Sequence, residues 1–214
     1  MTPRALLFDW DNTLVDSWDA IHHALVVTFT AMGHVPWSLA DTKARVRLSL
    51  RDAFPAIFGD RWAEARKLYL DTFTATHLER IAPVEGAEAL LAELAGRGHY
   101  LAVVSNKTGP VLRREAAHLG WTRFFARLVG AGDATADKPD AAPVRLALDG
   151  SGIAAGDAVW YVGDTAVDME CAANSGCRGV LLGALDQADP GFARFPPALQ
   201  FSACSMLSRH LRGL

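Results

Sequence analysis

The chain has 214 residues, half of them hydrophobic, and a formal net charge of -3 at pH 7. This length allows one large core, or a core domain that carries a smaller insert. The lack of net basic charge argues against a nucleic-acid partner, because duplex binding needs a basic face. An anionic small substrate would have to be bound locally by a metal ion or a few cationic groups.

The sequence predicts neither a secretion signal nor a membrane span. The segment RALLFDW is too short for the apolar region of a signal peptide and runs directly into acidic residues. No window approaches the roughly 18 apolar residues of a membrane helix. The three cysteines form an odd set without zinc-site spacing, which favours reduced, buried thiols. We therefore expect a cytoplasmic protein with no membrane partner.

The first predicted strand, residues 5–8, is followed by a long block that lacks any convincing strand. Residues 17–82 show helical patterns separated by Gly33, Pro36, Pro55 and Gly59. We predict that this block is an all-helical cap domain, inserted into a core that comprises residues 1–16 and 83–214.

After the insert, continuous apolar runs alternate with helical patterns. The runs that predict further strands cover residues 100–105, 126–131, 158–163 and 179–184. Helices are predicted at 86–98 and 138–152, a loop at 184–197, and a short last strand and helix within 199–211. Continuous apolar runs indicate strands that are buried on both faces. The alternation predicts a doubly wound, Rossmann-like α/β core with a parallel sheet.

Polar side chains follow several of these strands or lie on a loop that leads into a helix. They are Asp9 and Asp11, Ser105 and Asn106, Asp164 and Asp168, and Lys138. Because the carboxyl ends of parallel strands share one edge of the sheet, where ligands bind, we expect these side chains to converge. Carboxylates, a hydroxyl group and a lysine together are typical of a site for a metal ion and a phosphate group.

The chemistry of a phosphate monoester explains why two acids stand so close in the sequence. One carboxylate can attack phosphorus and divide a difficult reaction into two steps. A second, such as Asp11 two residues after Asp9, can protonate the leaving oxygen and later activate water. Clustered acids repel one another unless a hard cation lies among them, and Mg2+ prefers oxygen ligands. Lys138 and the hydroxyl of Ser105 would bind phosphoryl oxygens.

Four segments of the chain resemble the four motifs of the haloacid dehalogenase superfamily. They are DWDNT, VVSN, DKP and GDTAVDM, in this order and each at a predicted strand end or loop. The resemblance covers nearly the whole chain, including the cap inserted after the first motif, and is greatest to members like phosphoglycolate phosphatase. It implies hydrolysis of a small phosphorylated metabolite.

The resemblance also implies a role for each residue of these motifs. Asp9 would be the nucleophile and a metal ligand. Asp11 would be the general acid and base, and would bind the metal through its backbone carbonyl. Ser105 and Lys138 would hold the phosphoryl group, with Asn106 as a secondary contact.

The same resemblance implies the metal ligands and a substrate-reading segment in the cap. Asp164 would coordinate Mg2+, and Asp168 would lie in its inner or outer shell. Arg47 or Arg51, in the segment RLSLRDAF, would bind a second anionic group of the substrate. Asn12 stands where many relatives have glycine, and asparagine also accepts turn conformations.

Three other functions are compatible with this scaffold. A phosphomutase would be expected to carry a cap histidine ten residues after the second acid, where this chain has Ile21, with His22 next to it. A 2-haloacid dehalogenase needs neither the metal nor Asp11. A non-catalytic homologue usually loses the nucleophile or a metal ligand, and all of these are present here. The identity of the substrate and the oligomeric state stay open.

Overall fold

The computed structural model describes residues 2–46, 50–185 and 189–214. It divides the chain into two compact units. One comprises Met1–Val15 and Pro83–Leu214, and the other comprises Asp16–Ala82. The first is an α/β unit and the second is helical.

Parallel strands form the centre of the α/β unit. The strands in chain order are β1 (Ala5–Phe8), β2 (Val15–Asp16), β3 (Ala82–Pro83), β4 (Tyr100–Thr108), β5 (Arg127–Ala131), β6 (Val159–Gly163), β7 (Arg178–Leu182) and β8 (Leu199–Phe201). Within the described residues, six of them form one sheet in the order β5-β4-β1-β6-β7-β8, and each neighbouring pair is parallel. Strands β2 and β3 form a separate two-stranded sheet. The predicted doubly wound α/β fold is confirmed.

The helices cover both faces of the large sheet or make up the helical unit. In chain order they are α1 (Trp18–Ala31), α2 (Leu39–Arg45), α3 (Leu50–Phe58), α4 (Trp62–Thr76), α5 (Ala87–Gly96), α6 (Gly109–His118), α7 (Ala142–Leu148), α8 (Ala166–Ser175), α9 (Pro190–Arg194) and α10 (Cys204–Arg212). Helices α1 to α4 belong to the helical unit. Among the described helices, none is both long and apolar enough to cross a membrane.

The core lies on both faces of the sheet, which explains the continuous apolar runs. Ala5 and Leu7 point to one face, because side chains alternate along a strand, and they pack in a cluster with residues of α7 and α8. Leu6 and Phe8 point to the other face and are equally buried. β1, at the centre of the sheet, is therefore enclosed on both sides.

An aromatic cluster holds three helices of the helical unit together. Phe29 of α1 contacts Phe58 of α3 with ring centroids 5.2 Å apart. Phe54 of α3 meets Tyr69 of α4 at 5.6 Å, and Tyr69 stacks on Phe73 at 5.7 Å. All five rings are buried, and such edge-to-face and stacked pairs add to the stabilisation that burial provides.

Two predicted element types were wrong in part. The helix predicted at 138–152 is limited to α7, because the Asp140 carboxylate accepts a hydrogen bond from the Ala142 backbone at 2.7 Å, and Gly150 adopts a left-handed conformation after the helix ends. The loop predicted at 184–197 contains the short helix α9, which begins where the Asp189 side chain accepts a hydrogen bond from the Gly191 backbone at 2.8 Å.

The second long strand of the core, β4, extends beyond its predicted end at residue 105. Its backbone continues to Thr108, which pairs with Ala131 of β5. The residues after Ser105 are polar, so the apolar pattern does not show that the strand continues. The register with β5 shifts between Val104 and Thr108, so this polar end of the strand is irregular.

Candidate active site

The predicted site residues come from loops and strand ends at one edge of the sheet. Asp9 follows β1 directly, and its backbone N–H donates to the carbonyl of Val162 in β6 at 2.8 Å. Strand β1 lies between β4 and β6, so the ends of these three strands are neighbours. Asp9, Ser105 and Lys138 are all buried, with 4–6% of each residue exposed.

Lys138 joins two of the predicted acids. Its Nζ lies 2.8 Å from Oδ1 of Asp9 and 2.7 Å from Oδ1 of Asp168. Burial opposes the positive charge, but Asp168 and Asp9 outweigh that effect and raise the pKa of Lys138 above its usual value. Lys138 therefore stays protonated and neutralises part of the acidic charge.

Asn106 holds the backbone of Lys138. Its Oδ1 accepts a hydrogen bond from the Lys138 N–H at 3.0 Å, and its Nδ2 donates to the Lys138 carbonyl at 3.2 Å. These two bonds use both polar atoms of the amide side chain. In this structure Asn106 thus positions the lysine loop.

Three carboxylates form a compact group beside Lys138. Oxygen atoms of Asp9, Asp164 and Asp168 lie within 4.8 Å of one another. Burial raises the pKa of Asp9 to about 6. Lys138 opposes this increase, and the charge of Asp168 adds to it to a smaller extent. Burial, Asp168 and Asp9 raise the pKa of Asp164 well above its usual value, because the acids disfavour one another's charge.

This donor set fits a hard divalent cation. Three acids face one lysine, so negative charge is in excess when all of them are ionised. Burial is the main cause of the raised pKa values, and repulsion between the acids adds to it. Mg2+ takes oxygen ligands and would relieve that repulsion. Asp9, Asp164 and Asp168 could therefore hold a magnesium ion. The carboxylate of Asp11 is not a member of this group.

Asp168 has a structural task as well as its contact with Lys138. It is the third residue of α8, and its Oδ2 accepts hydrogen bonds from the Thr165 backbone at 3.0 Å and the Thr165 hydroxyl at 2.7 Å. The helix cap fixes one carboxylate oxygen, and the other faces Lys138. A side chain at Gly163 would overlap Asp168, so this glycine gives the carboxylate its space.

Asp11 lies in other surroundings, which the sequence did not predict. Its Oδ1 is 2.6 Å from the Nζ of Lys107, and the same Nζ is 2.6 Å from Oε2 of Glu115 in α6. Trp10 donates its indole N–H to Oε2 of Glu115 at 2.7 Å. An acidic residue among the apolar residues of α6 was the signal that could have revealed this network, since Glu115 is fully buried.

Ser105 and Thr13 have defined contacts near these groups. Ser105 Oγ accepts a hydrogen bond from the Lys107 backbone at 3.2 Å. It lies within β4, so it is not the cap of α6, which begins at Gly109. Thr13 donates its hydroxyl to Oδ1 of Asp164 at 2.8 Å and thereby fixes one of the three clustered acids.

The two predicted cap arginines are not part of the described site. Arg47 lies outside the described residues, and of Arg51 the structure describes only the backbone, at the start of α3. Asn12 adopts a left-handed conformation with φ of 62°, as expected for an asparagine in a turn.

Comparison with known proteins identifies the family. The family model for haloacid dehalogenase-like hydrolases matches residues 6–182, which include every predicted site residue. The chain belongs to this family. The resemblance that the four motifs indicated is therefore confirmed, and the chain is a haloacid dehalogenase-like hydrolase.

Relatives within the family agree over most of their length. The chain is 32% identical over 208 residues to a phosphoglycolate phosphatase of Rhodospirillum rubrum. The aligned region covers 92% of this chain and 83% of the relative. It is 31% identical over 185 residues to a phosphoglycolate phosphatase of Pectobacterium atrosepticum, covering 83% and 79%. A haloacid dehalogenase-like hydrolase structure from Streptococcus pneumoniae has the same fold, with a TM-score of 0.87, 22% identity, and coverage of 97% and 98%.

Proposed function

We propose that this hydrolase is a Mg2+-dependent phosphatase that cleaves a small phosphomonoester through an aspartyl-phosphate on Asp9. The observation that carries the proposal is the buried lysine that joins Asp9 and Asp168 beside a third acid, Asp164. A nucleophile, a fixed cation and a metal site for oxygen ligands are the parts that phosphoryl transfer requires. Both relatives compared above are named phosphoglycolate phosphatase.

In the first step, an oxygen of Asp9 bonds to phosphorus as the ester P–O bond breaks. The leaving oxygen takes a proton from the Asp11 carboxyl group. Lys138 and the hydroxyl of Ser105 bind oxygens of the transferred group and stabilise the charge that develops on them. The alcohol and an aspartyl-phosphate are the products of this step.

In the second step, water bonds to phosphorus and transfers a proton to the Asp11 carboxylate. The bond between phosphorus and the Asp9 oxygen breaks, so phosphate leaves and the Asp9 carboxylate is restored. Asp11 therefore acts as an acid in the first step and as a base in the second. Both acids end the cycle in the state in which they began it.

Asp9, Asp164 and Asp168, together with the backbone carbonyl of Asp11, would hold the Mg2+ ion. When bound, the ion neutralises charge on the phosphate and on the clustered acids. Thr13 fixes Asp164 and Thr165 fixes Asp168, so the ligands are oriented by neighbouring hydroxyl groups.

We further propose that residues 17–82 act as a cap that selects the alcohol part of the substrate, with Arg47 or Arg51 binding a second anionic group. Phosphoglycolate is the first candidate, followed by sugar phosphates, nucleoside monophosphates and pyrophosphate. The three thiols are free and buried, which fits the reducing, cytoplasmic location that the sequence predicts.

The alternative is a phosphomutase, and two observations in the helical unit argue against it. Ile21 occupies the position of the expected mutase histidine and is buried. The neighbouring His22 pairs its Nδ1 with the hydroxyl of Thr42 at 3.0 Å. A mutase would convert sugar phosphates only after priming with a bisphosphate, which distinguishes it from a hydrolase.

The proposal is tested by phosphate release from a panel of esters that includes phosphoglycolate, with Mg2+ or with EDTA. We expect Mg2+-dependent release that falls by several orders of magnitude in Asp9→Asn, because the nucleophile is lost. Asp149→Asn is the matched control, since its side chain is 71% exposed. Release that survives EDTA would instead indicate metal-independent chemistry, and release that survives Asp9→Asn would overturn the nucleophile assignment.

A further inference from the structure

A second buried lysine, separate from Lys138, contacts the predicted general acid and base. Lys107 has 5% of its side chain exposed and lies 2.6 Å from both Asp11 and Glu115. Glu115 has no exposed surface, and it lies among the buried apolar residues of α6. Burying a carboxylate and a lysine removes both charges from water, a cost that their pairing often does not fully recover. A buried pair at this place therefore suggests a role other than stability.

The contacts form a chain that ends at Asp11. Trp10 donates to Oε2 of Glu115, the same oxygen that pairs with Lys107. Glu115 is thus fixed by an indole that cannot ionise, and it fixes the Nζ of Lys107. Lys107 in turn pairs with Oδ1 of Asp11, whose side chain is 21% exposed. Of the three charged side chains Glu115, Lys107 and Asp11, that of Asp11 is the most exposed. This exposure suits a group that exchanges a proton with the substrate.

We propose that Lys107 and Glu115 are positioning residues that hold Asp11 for proton transfer in the proposed phosphatase reaction. The inference rests on the proposed function for its kinetic part. Lys107 binds Oδ1, so Oδ2 is the oxygen that gives its proton to the leaving group and later receives one from water. Lys107 keeps its protons throughout the reaction, and Glu115 stays ionised, so neither residue takes part in proton transfer itself.

This geometry separates the Asp11 carboxylate from the three clustered carboxylates. Lys138 binds Asp9 and Asp168, which belong to the three-acid group, whereas Lys107 binds Asp11 and Glu115, which do not. Lys107 contacts the Asp11 carboxylate, whereas the metal would be bound by the Asp11 backbone carbonyl, so loss of Lys107 should disturb the carboxylate and leave Mg2+ binding intact. A purely structural ion pair would not produce that selectivity.

The test uses the double variant Lys107→Met with Glu115→Gln, which removes both buried charges and leaves an acceptor for Trp10. With p-nitrophenyl phosphate the leaving group departs without a proton, so aspartyl-phosphate still forms, but its hydrolysis needs Asp11 as a base. We expect a burst of p-nitrophenolate followed by a slow steady state, with kcat reduced by about 10- to 100-fold. With an alkyl phosphate no burst of alcohol should appear, because the leaving oxygen of an alkyl ester needs a proton from Asp11 before the aspartyl-phosphate can form.

The variant Asp11→Asn shows whether the effect passes through Asp11. Asp11→Asn alone should lose at least about 100-fold in kcat, and adding the double variant to it should cost nothing more. Arg123→Met, which removes an exposed ion pair with Glu88 at 2.9 Å outside the cap, should leave the kinetics unchanged. If the double variant does not fold, Lys107→Arg, which keeps the charge but changes its shape, takes its place with the same expected burst.

A crystal structure of the variant tests the positioning claim without any activity. We expect the Asp11 carboxylate to move while Asp9, Lys138 and Asp168 keep their places. An unmoved Asp11, equal losses for both kinds of ester, or full additivity with Asp11→Asn would overturn the inference. If the wild type hydrolyses no ester, the proposed function fails, and the position of Asp11 in the variant still decides whether Lys107 holds it.

Discussion

Asp9 and Asp11 are two residues apart in the chain but differ in their electrostatic surroundings. Each carboxylate is bound by a buried lysine, at 2.8 Å and 2.6 Å respectively. The second partner of each lysine makes the difference. Lys138 also binds Asp168 and so joins Asp9 to the three-acid group, whereas Lys107 binds a glutamate outside it.

The difference shows how one residue type acquires two roles at nearly the same point of the chain. Asp9 faces other acids, and burial with their charge raises its pKa to about 6, which a metal ion would reverse. Trp10, between the two acids, is fully buried and directs its indole N–H to Glu115. On either side of Trp10, Asp9 contacts Lys138 and the three-acid group (the first network), whereas Asp11 contacts Lys107 and through it Glu115 (the second network).

The largest expected effect comes from removing the lysine of the first network. Lys138→Met leaves Asp9 and Asp168 buried without their cation, and we expect the free energy of unfolding in EDTA to fall by about 3–5 kcal/mol. Urea unfolding followed by circular dichroism measures this. Lys67→Met, at an exposed pair, should cost less than about 1 kcal/mol. Equal losses in the two variants would show that the Lys138 pairs contribute no more than a surface pair.

The pH dependence of stability should reveal the same network. The folded protein holds a proton on Asp9 more tightly than the unfolded chain does, because burial raises its pKa from 3.8 to about 6. Stability without metal should therefore be highest below pH 4 as far as Asp9 is concerned, and fall as the pH rises to about 6. The loss is on the order of 1–3 kcal/mol, at about 1.4 kcal/mol per pKa unit.

Thermal unfolding in EDTA across this pH range measures the effect. Asp9→Asn removes the titrating group, so its stability should fall less between pH 4 and 6 and exceed that of the wild type above pH 6. Asp149→Asn, at an exposed position, should follow the wild type. Parallel curves for wild type and Asp9→Asn would contradict the assigned direction of the pKa shift.

Much of the first network could be predicted from the sequence, and the structural reason is the order of the strands. Continuous apolar runs mark β1 and β6, and polar residues that follow buried parallel strands must meet at one edge. Asp9, Asp164 and Asp168 could thus be grouped before their distances were known. The sequence could not show that Asn106 holds the Lys138 backbone, because this contact spans 32 residues of chain.

Glu115, among the buried positions of α6, was the only signal of the second network, and a single charged residue does not indicate which partners it has. Lys107 follows the apolar run of β4, where a solvated lysine is the ordinary expectation. Its burial depends on Glu115 of α6 and on the indole of Trp10, 105 residues away from that glutamate in the chain. The helix predicted at 138–152 was wrong in part for a related reason, since a local hydrogen bond from the Ala142 backbone to the Asp140 side chain precedes the helix that the apolar pattern predicts.

A smaller effect is expected where the backbone gives Asp168 its space. Gly163→Ala would place a methyl group against the Asp168 side chain, and we expect a loss of about 1–3 kcal/mol in the free energy of unfolding. Isothermal titration should also show weaker Mg2+ binding, because the displaced carboxylate is one of the three clustered acids. Gly179→Ala in β7 is the control, since its nearest neighbour is the flexible end of Met169 at 3.1 Å. Unchanged metal affinity in Gly163→Ala would exclude Asp168 as a ligand.

The smallest expected effect concerns the turn that follows Asp11. Asn12 has φ of 62°, and its N–H donates to the Val15 carbonyl at 2.6 Å. Asn12→Gly and Asn12→Ala both remove the side chain, so the difference between them isolates the backbone. We expect the alanine variant to be less stable than the glycine variant by about 1 kcal/mol, because a left-handed conformation is unfavourable for alanine. The Asp11 carbonyl that would bind Mg2+ lies at the start of this turn. Mg2+ affinity should be the same in both variants as long as the turn keeps its conformation, and weaker binding by Asn12→Ala would show that the turn positions this carbonyl.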